Sequence, residues 1–105
     1  GLAWTPDGRR IALSDERLRL LVMNVADGAV TVVDSSAIGA IREFDWSPDG
    51  RYLAYTATLD NLYHQVRIWD SRARKVHAVS DSLFDSFAAA WDPDGRYIHF
   101  LQARR

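Results

Sequence analysis

Short apolar stretches alternate with brief polar segments along the whole chain, and no stretch shows the sustained periodicity of a helix. The apolar stretches are rich in valine, isoleucine and aromatic residues, which favour extended strands. The pattern therefore predicts ten β-strands, at residues 2–4, 10–14, 20–24, 30–33, 43–46, 52–56, 66–70, 76–79, 88–91 and 97–101.

One five-residue motif occurs three times, each time between a first and a second predicted strand. It reads Trp-Thr-Pro-Asp-Gly at residues 4–8, Trp-Ser-Pro-Asp-Gly at 46–50 and Trp-Asp-Pro-Asp-Gly at 91–95, so the tryptophans are 42 and 45 residues apart. A fixed period of this length is typical of the blades of a β-propeller. The repeat predicts an all-β propeller fragment, with four-stranded antiparallel blades at residues 1–38 and 39–85 and the first hairpin of a further blade at 86–105.

Each motif is predicted to form the turn of a β-hairpin. Proline has the φ angle that the second position of a type I turn requires, aspartate suits the next position, and glycine adopts the positive φ that completes a bulged hairpin. The predicted structural turn residues are Pro6, Asp7, Gly8, Pro48, Asp49, Gly50, Pro93, Asp94 and Gly95. Because the tryptophans recur at equivalent positions, Trp4, Trp46 and Trp91 are expected to be packing residues and not a binding cage.

The first two copies differ mainly between their second and third strands. This segment is residues 15–19 in the first copy and residues 57–65 in the second, so the second is four residues longer. Insertions into repeat proteins fall in loops on one face, which is often the binding face. We therefore expect a longer surface loop in the second blade.

Composition removes several classes of partner. The chain has 105 residues, a formal net charge of −1 and no cysteine. It lacks the basic excess of a nucleic-acid-binding domain and any apolar run long enough to span a membrane, so neither partner is expected. The absence of cysteine excludes disulfides and thiol-based metal sites.

Candidate chemistry is sparse in this sequence. It contains no Gly-x-Ser-x-Gly nucleophile elbow, no phosphate-binding glycine loop and no His-Glu-x-x-His motif, so we predict no catalytic residue, cofactor or metal. Among the histidines, His77 is expected to face solvent from an outer strand and His99 to be exposed. His64, at the end of the longer loop, is the best functional candidate, although it has no partner ligands at a metal-binding spacing.

A group of loop residues forms the candidate partner surface. In a four-stranded meander, the second-to-third and fourth-to-first connections lie at the same end of the sheet, and several of these residues are apolar. One interpretation is a peptide or partner face, since loops on a rigid scaffold commonly bind ligands. The other is that they cap the blade or pack against a neighbouring domain. The group comprises Leu59, Asp60, Asn61, Leu62, Tyr63, His64, Leu83, Phe84 and Asp85.

The repeat resembles that of known propellers. The sequence Trp-Ser-Pro-Asp-Gly-Arg-Tyr-Leu-Ala-Tyr at residues 46–55 resembles the repeat of TolB-like and tricorn-like propellers, and the resemblance covers nearly the whole chain. Two stretches are more particular to tricorn-type serine peptidases. Residues 84–101, which join Phe-Asp-Ser-Phe to the third motif, look like the closing part of that family's second propeller, and the segment 59–63 is also similar.

The resemblance carries expectations about a longer protein. In tricorn-type peptidases the propellers precede a PDZ domain and a catalytic core, and they filter or channel peptides. The family's catalytic residues lie in that core, and nothing in this sequence matches their motifs. The implied partners are the remaining blades, the catalytic core, peptides and further copies in a cytoplasmic oligomer. Two alternatives stay open, namely a TolB-like propeller that binds other proteins and the propeller of a prolyl-oligopeptidase-type hydrolase.

Overall fold

The computed structural model describes residues 2–36, 38–80 and 85–103, and all regular secondary structure within these residues is β-strand. Every predicted strand is present, with ends that differ by at most three residues from the prediction. The strands are β1 (Leu2–Trp4), β2 (Arg10–Ser14), β3 (Arg19–Asn24), β4 (Val30–Ser35), β5 (Arg42–Trp46), β6 (Tyr52–Thr58), β7 (His64–Asp70), β8 (Lys75–Ala78), β9 (Asp85–Trp91) and β10 (Ile98–Ala103).

The strands form two antiparallel four-stranded meanders and one hairpin. The first blade has the order β1-β2-β3-β4 and the second has the order β5-β6-β7-β8, while β9 pairs with β10. Within each sheet, every strand is hydrogen-bonded to its neighbour along the chain, as expected for propeller blades. The predicted fold class, two blades and the first hairpin of a third, is confirmed.

The core lies between the sheets, and β6 is at its centre. Five consecutive residues of β6 are buried, because both of its faces are covered. One face, with Leu53 and Tyr55, packs against Val22 of the first blade. The other face, with Ala54, packs against Ala89 of the third hairpin. This explains why the second strand of the repeat is apolar without alternation.

The three turns share one hydrogen-bond pattern. In the second copy the Gly50 N–H donates to the carbonyl of Ser47 at 2.8 Å, and Gly50 has a φ of +73°. The Ser47 hydroxyl donates to Asp49 at 2.6 Å, which lowers the pKa of that carboxyl, and it accepts from the Tyr52 N–H at 3.0 Å. The glycine bond recurs in the other two turns at 2.9 and 3.0 Å.

The motif tryptophan joins each blade to the one before it. The Trp46 indole N–H donates to the carbonyl of Ala3 at 3.0 Å, and the Trp91 indole N–H donates to the carbonyl of Asp45 at 3.0 Å. Ala3 and Asp45 both directly precede the tryptophan of their own blade, so the contact repeats with the motif. The repeat therefore specifies the stacking of blades as well as the hairpin turns.

One of the three tryptophans departs from the packing expectation. Trp46 is 6% exposed, whereas Trp4 is 55% exposed. The equivalent face of the second blade is covered by the first, but no sheet of the described chain covers the outer face of the first blade. The prediction that Trp4 is a packing residue is wrong for this chain, because the neighbour on which it would pack is not among these residues.

The extra residues of the second copy lengthen its strands. β6 and β7 have seven residues each, compared with five in β2 and six in β3. The connecting loops are residues 15–18 and 59–63, which differ in length by only one residue. The loop of the second blade is thus longer by one residue, and most of the added residues extend the strands instead. The added residues continue the ladder through the pairs Ala57–Gln65 and Thr58–His64, where Ala57 and Gln65 are buried.

Candidate binding site at the junction of two blades

Several connections meet at the end of the blades that lies opposite the three motif turns. The Ser36 hydroxyl lies 3.1 Å from the carbonyl of Thr58, at the end of β6. Gly39 approaches the same residue so closely that a Cβ there would lie 2.9 Å from Thr58 Oγ1. The fourth-to-first connection is thus held against the second-to-third loop of the next blade.

The loop 59–63 presents an apolar side chain from a strained backbone. Leu62 has a φ of +69° and is 64% exposed. Hydrogen bonds from the Leu59 N–H to the Tyr63 carbonyl at 2.8 Å and from the Leu62 N–H to the Leu59 carbonyl at 2.9 Å hold this conformation. A left-handed conformation costs a non-glycine residue about 1–2 kcal/mol. The equivalent loop of the first blade has the same pair of hydrogen bonds and a φ of +61° at Leu18, so this conformation is a feature of the repeat.

The other residues predicted for the partner surface are divided. Asp60 and Asn61 are exposed at the loop tip, and Leu59 and Tyr63 are half-buried. Leu83 and Phe84 lie outside the described residues. The remaining two, His64 and Asp85, come from different blades and are in direct contact, so they define a more specific site than the loop as a whole.

His64 and Asp85 form a buried polar contact between the second blade and β9. Asp85, which is 4% exposed, accepts hydrogen bonds at Oδ1 from the His64 backbone N–H at 2.7 Å and from the ring Nδ1 at 2.8 Å. On the opposite side of the ring, Arg42 Nη2 lies 3.2 Å from His64 Nε2. Because β5, β7 and β9 each contribute one residue, only the folded arrangement of the blades brings this cluster together.

The partners assign the tautomer of His64. A guanidinium has only donors, so Nε2 next to Arg42 is the acceptor, and the proton is on Nδ1, where Asp85 accepts it. The imidazole in this arrangement is neutral and is oriented from both sides. A carboxylate that fixes one ring nitrogen leaves the other nitrogen available to a third group. Here that third group is the guanidinium.

A cavity of about 220 Å³ lies over this cluster and is lined by Arg42, Glu43, His64, Asp85 and Phe87. Glu43 has a φ of +62° and sits in a bulge of β5, where the register shifts between Arg42 and Asp45. The bulge places two charged residues side by side at the rim of the cavity. Nothing in the sequence signals this bulge, so the sequence does not single out Arg42 or Glu43 as site residues.

A second polar cluster links the first two blades. Asp34 Oδ2 accepts hydrogen bonds from the Tyr55 hydroxyl at 2.6 Å and from Arg67 Nη1 at 2.8 Å. Burial and the hydrogen bond to Asp34 raise the pKa of Tyr55 well above its usual range, so the phenol stays protonated. The charges of Asp34 and Arg67 in this cluster neutralise each other. The cluster is therefore a structural contact between blades.

Two larger depressions lie at the turn end of the blades, with volumes of about 660 and 320 Å³. The first is lined by residues 7–10 and 24–26 of one blade, and its charged side chains, Asp7 and Arg9, are largely exposed. Neither depression has groups from different elements converging on one buried point. In the described part of the chain, no group of three or more histidine or acidic residues could hold a metal ion, and no helix is long and apolar enough to cross a membrane.

A family model described as eukaryotic translation initiation factor eIF2A matches residues 2–102. The chain belongs to that family. The eIF2A family model covers both blades and the third hairpin, so the match concerns the whole repeat array and not the His64 cluster alone.

Tricorn proteases are similar to this eIF2A-family chain over nearly its whole length. It is 32% identical to a tricorn-like protease C-terminal subunit of Sulfurisphaera tokodaii and 31% identical to a tricorn protease homolog of Saccharolobus solfataricus, each over 95% of this chain. The crystal structure of the tricorn protease matches its fold with a TM-score of 0.91 at 20% identity, over 97% of this chain and 11% of that chain. The resemblance to tricorn-type propellers is confirmed.

TolB propellers are also similar to this eIF2A-family chain. The crystal structure of TolB from Acinetobacter baumannii matches with a TM-score of 0.74 and 27% identity, over 95% of this chain and 25% of that chain. The chain spans only 12% and 9% of the length of the two tricorn relatives. What the tricorn relatives and TolB share with the chain is the propeller repeat.

Proposed function

We propose that this chain is a non-catalytic propeller segment of a tricorn-type serine peptidase and that it scaffolds and gates peptide access to a distant active site. The observation that carries the proposal is the similarity to two tricorn relatives over 95% of this chain. The parent would be a cytoplasmic, oligomeric hydrolase whose remaining blades and catalytic core are partners of this segment. Peptides would be the molecules that pass it.

The loop end of the blades supports a role in peptide access. Leu62 presents an exposed apolar side chain there, and the connection through Gly39 is packed tightly enough to hold the neighbouring loops in place. Rigid blades that position loops of this kind provide a fixed surface against which a peptide can pack. Apolar loop residues and the charged groups of Arg42 and Glu43 lie at the same end.

A second candidate is a TolB-like propeller that acts as a protein–protein interaction module. The TolB match at 27% identity over 95% of this chain favours it. In that case the same loop end would bind a folded partner, and no peptidase activity would accompany it. The two candidates therefore differ in whether a change at this end alters peptide turnover.

The test uses the full-length polypeptide that carries these residues. Leu62→Asn removes the apolar side chain but suits a left-handed backbone. We expect a several-fold lower kcat/KM for a long peptide and an unchanged value for a short chromogenic substrate that passes the loops freely. Arg74→Asn is the matched control, since Arg74 also has a positive φ, +54°, but lies in the turn between β7 and β8.

Two results would count against gating. One is an equal loss for long and short substrates with Leu62→Asn, because a gate acts according to substrate size. The other is an equal response to Leu62→Asn and Arg74→Asn, which would indicate a general loss of stability. Absence of any peptide hydrolysis by the full-length polypeptide would favour the interaction module.

A further inference from the structure

We infer that Arg42 and His64 form a binding site for a carboxylate group in the cavity between the second blade and β9. The site would hold the two carboxylate oxygens between the guanidinium and the outer nitrogen of the imidazole. The inference rests on the proposed function only for the source of the carboxylate, which would be a peptide.

The charge of Arg42 is the first observation. Arg19, Arg51 and Arg67 each lie 2.7–3.0 Å from an aspartate oxygen. Arg42 is exposed, and no carboxylate of the described residues lies within 4.0 Å of its guanidinium nitrogens. Its contact is with a neutral ring nitrogen, which occupies one of five donors. The remaining donors of Arg42 are suited to charge-assisted hydrogen bonds with a carboxylate.

The orientation of His64 is the second observation. Asp85 holds the ring through two hydrogen bonds to one oxygen, so Nε2 is directed toward the cavity side where Arg42 lies. When the ring takes up a proton, Nε2 becomes a donor and no longer accepts from Arg42. An incoming carboxylate then receives hydrogen bonds from both groups, and Asp85 compensates the positive charge of the ring.

The surroundings of the cavity are the third observation. Phe87 supplies an apolar wall, which suits the aliphatic part of an amino acid. Thr56 is fully buried, and its Oγ1 has no hydrogen-bond partner in the described part of the chain. Thr56 pairs with Arg42 in the sheet, and Thr58 pairs with His64. Because side chains alternate along a strand, Thr56 lies on the same face of the sheet as Arg42 and His64. Thr56 itself does not line the cavity, so the carboxylate site consists of Arg42 and His64 beside the Phe87 wall.

The acidic residues around the cavity limit the class of anion. Among the described residues, the charged groups that line the cavity with His64 are Arg42 and Glu43 from β5 and Asp85 from β9, and Asp60 and Tyr63 lie in the preceding loop. With two carboxylates and one guanidinium in its lining, the cavity disfavours a multiply charged anion such as phosphate. The charges that line the cavity are compatible with a singly charged carboxylate that binds together with a proton.

Binding is therefore expected to depend on pH. Because the bound carboxylate requires a donor at Nε2, the affinity is compared at about pH 5.5 and about pH 8. The bound carboxylate favours the protonated ring, and binding takes up protons in the intervening range. The affinity is expected to be higher at the lower pH.

Calorimetric titration of the full-length polypeptide tests the site. The probes are N-acetyl-leucyl-leucine as the free acid, its C-terminal amide, and an amide of the same length that carries one glutamate. Binding of the free acid alone identifies a peptide C-terminus as the source, and binding of the glutamate amide identifies an acidic side chain. Equal binding of the free acid and the plain amide would overturn the inference, because the carboxylate would then contribute nothing.

Three variants separate the site from general effects. Arg42→Gln is expected to weaken free-acid binding by about tenfold or more, which is typical of the loss of one hydrogen bond to a charged group. His64→Gln is expected to weaken binding at pH 5.5 and to have little effect at pH 8. Arg72→Gln is the control, since Arg72 is exposed in the turn after β7. If Arg42→Gln does not fold, Arg42→Lys keeps the charge without the planar fork and is expected to bind more weakly than the wild type.

The outcomes distinguish this inference from the proposed function. If the polypeptide hydrolyses peptides but Arg42→Gln and Arg72→Gln bind the free acid equally well, the carboxylate site is wrong and the propeller proposal stands. If it hydrolyses no peptide but binds the free acid in a manner that depends on Arg42 and pH, the site is supported and the peptidase proposal fails.

Discussion

The hydrogen bond of the motif tryptophan can be measured because the chain contains a matched control. Trp46 and Trp69 are both 6% exposed, belong to the same core cluster and meet edge to face, with ring centroids 6.3 Å apart. The Trp46 indole N–H donates to Ala3 in the neighbouring blade at 3.0 Å. The Trp69 indole N–H has no hydrogen-bond partner among residues 2–36, 38–80 and 85–103.

Replacing each tryptophan by phenylalanine gives two costs that differ by the hydrogen bond. Both changes remove a similar ring area, which lowers the free energy of unfolding by about 1–2 kcal/mol. Trp46→Phe also removes a hydrogen bond worth about 1 kcal/mol and leaves the Ala3 carbonyl without this partner. It further weakens the contact with the Arg10 guanidinium, which lies 5.1 Å from the ring centroid. Trp46→Phe is therefore expected to be more destabilising than Trp69→Phe by about 1–2 kcal/mol.

Urea denaturation followed by fluorescence and by circular dichroism provides the measurement. Coincident transitions by the two probes would license a comparison of the free energies of unfolding. Equal costs for the two variants would refute the argument that the motif tryptophan joins blades through its indole N–H. A larger cost for Trp69→Phe would refute it as well.

Three other predictions concern turns, charge and association. Gly8 and Gly95 both have a φ near +72°, but only at Gly95 would an added Cβ lie 3.2 Å from Pro48. Gly95→Ala should therefore lower the melting temperature more than Gly8→Ala. The hydrogen bonds from Arg51 lower the pKa of Asp70 from 3.8 to about 2, so this contribution to stability is present above pH 3.8 and is lost as the pH falls toward 2. Arg51→Gln should flatten the acid part of the stability curve. The isolated chain should associate in sedimentation experiments, because the outer face of the first blade exposes Leu2 at 68% together with Trp4.

Each of these predictions has a contrary result. Equal melting temperatures for Gly8→Ala and Gly95→Ala would show that the turns of neighbouring blades do not constrain each other. An unchanged acid transition in Arg51→Gln would show that Asp70 is not held by this contact. A stable monomer of the isolated chain that unfolds cooperatively would show that the exposed blade face does not drive association.

The repeat motif made the fold predictable, because its residues act locally. Gly50 needs a positive φ and Ser47 bonds to its own turn, so five residues of sequence contain the whole geometry. The candidate site was only partly predictable, since His64 and Asp85 were expected at the same end of the blades but their contact was not. Arg42 was missed because a bulge and a residue with positive φ reposition β5. Such a bulge depends on the packing of neighbouring blades, which leaves no local signal.

The native polypeptide that carries these residues can show whether they belong to the propeller of a tricorn-type serine peptidase. Its intact mass and its labelling by a serine-reactive probe would be measured together. We expect a polypeptide many times longer than 105 residues that the probe labels outside this segment. An unlabelled polypeptide of the size of a single propeller would contradict this expectation and would favour the interaction module.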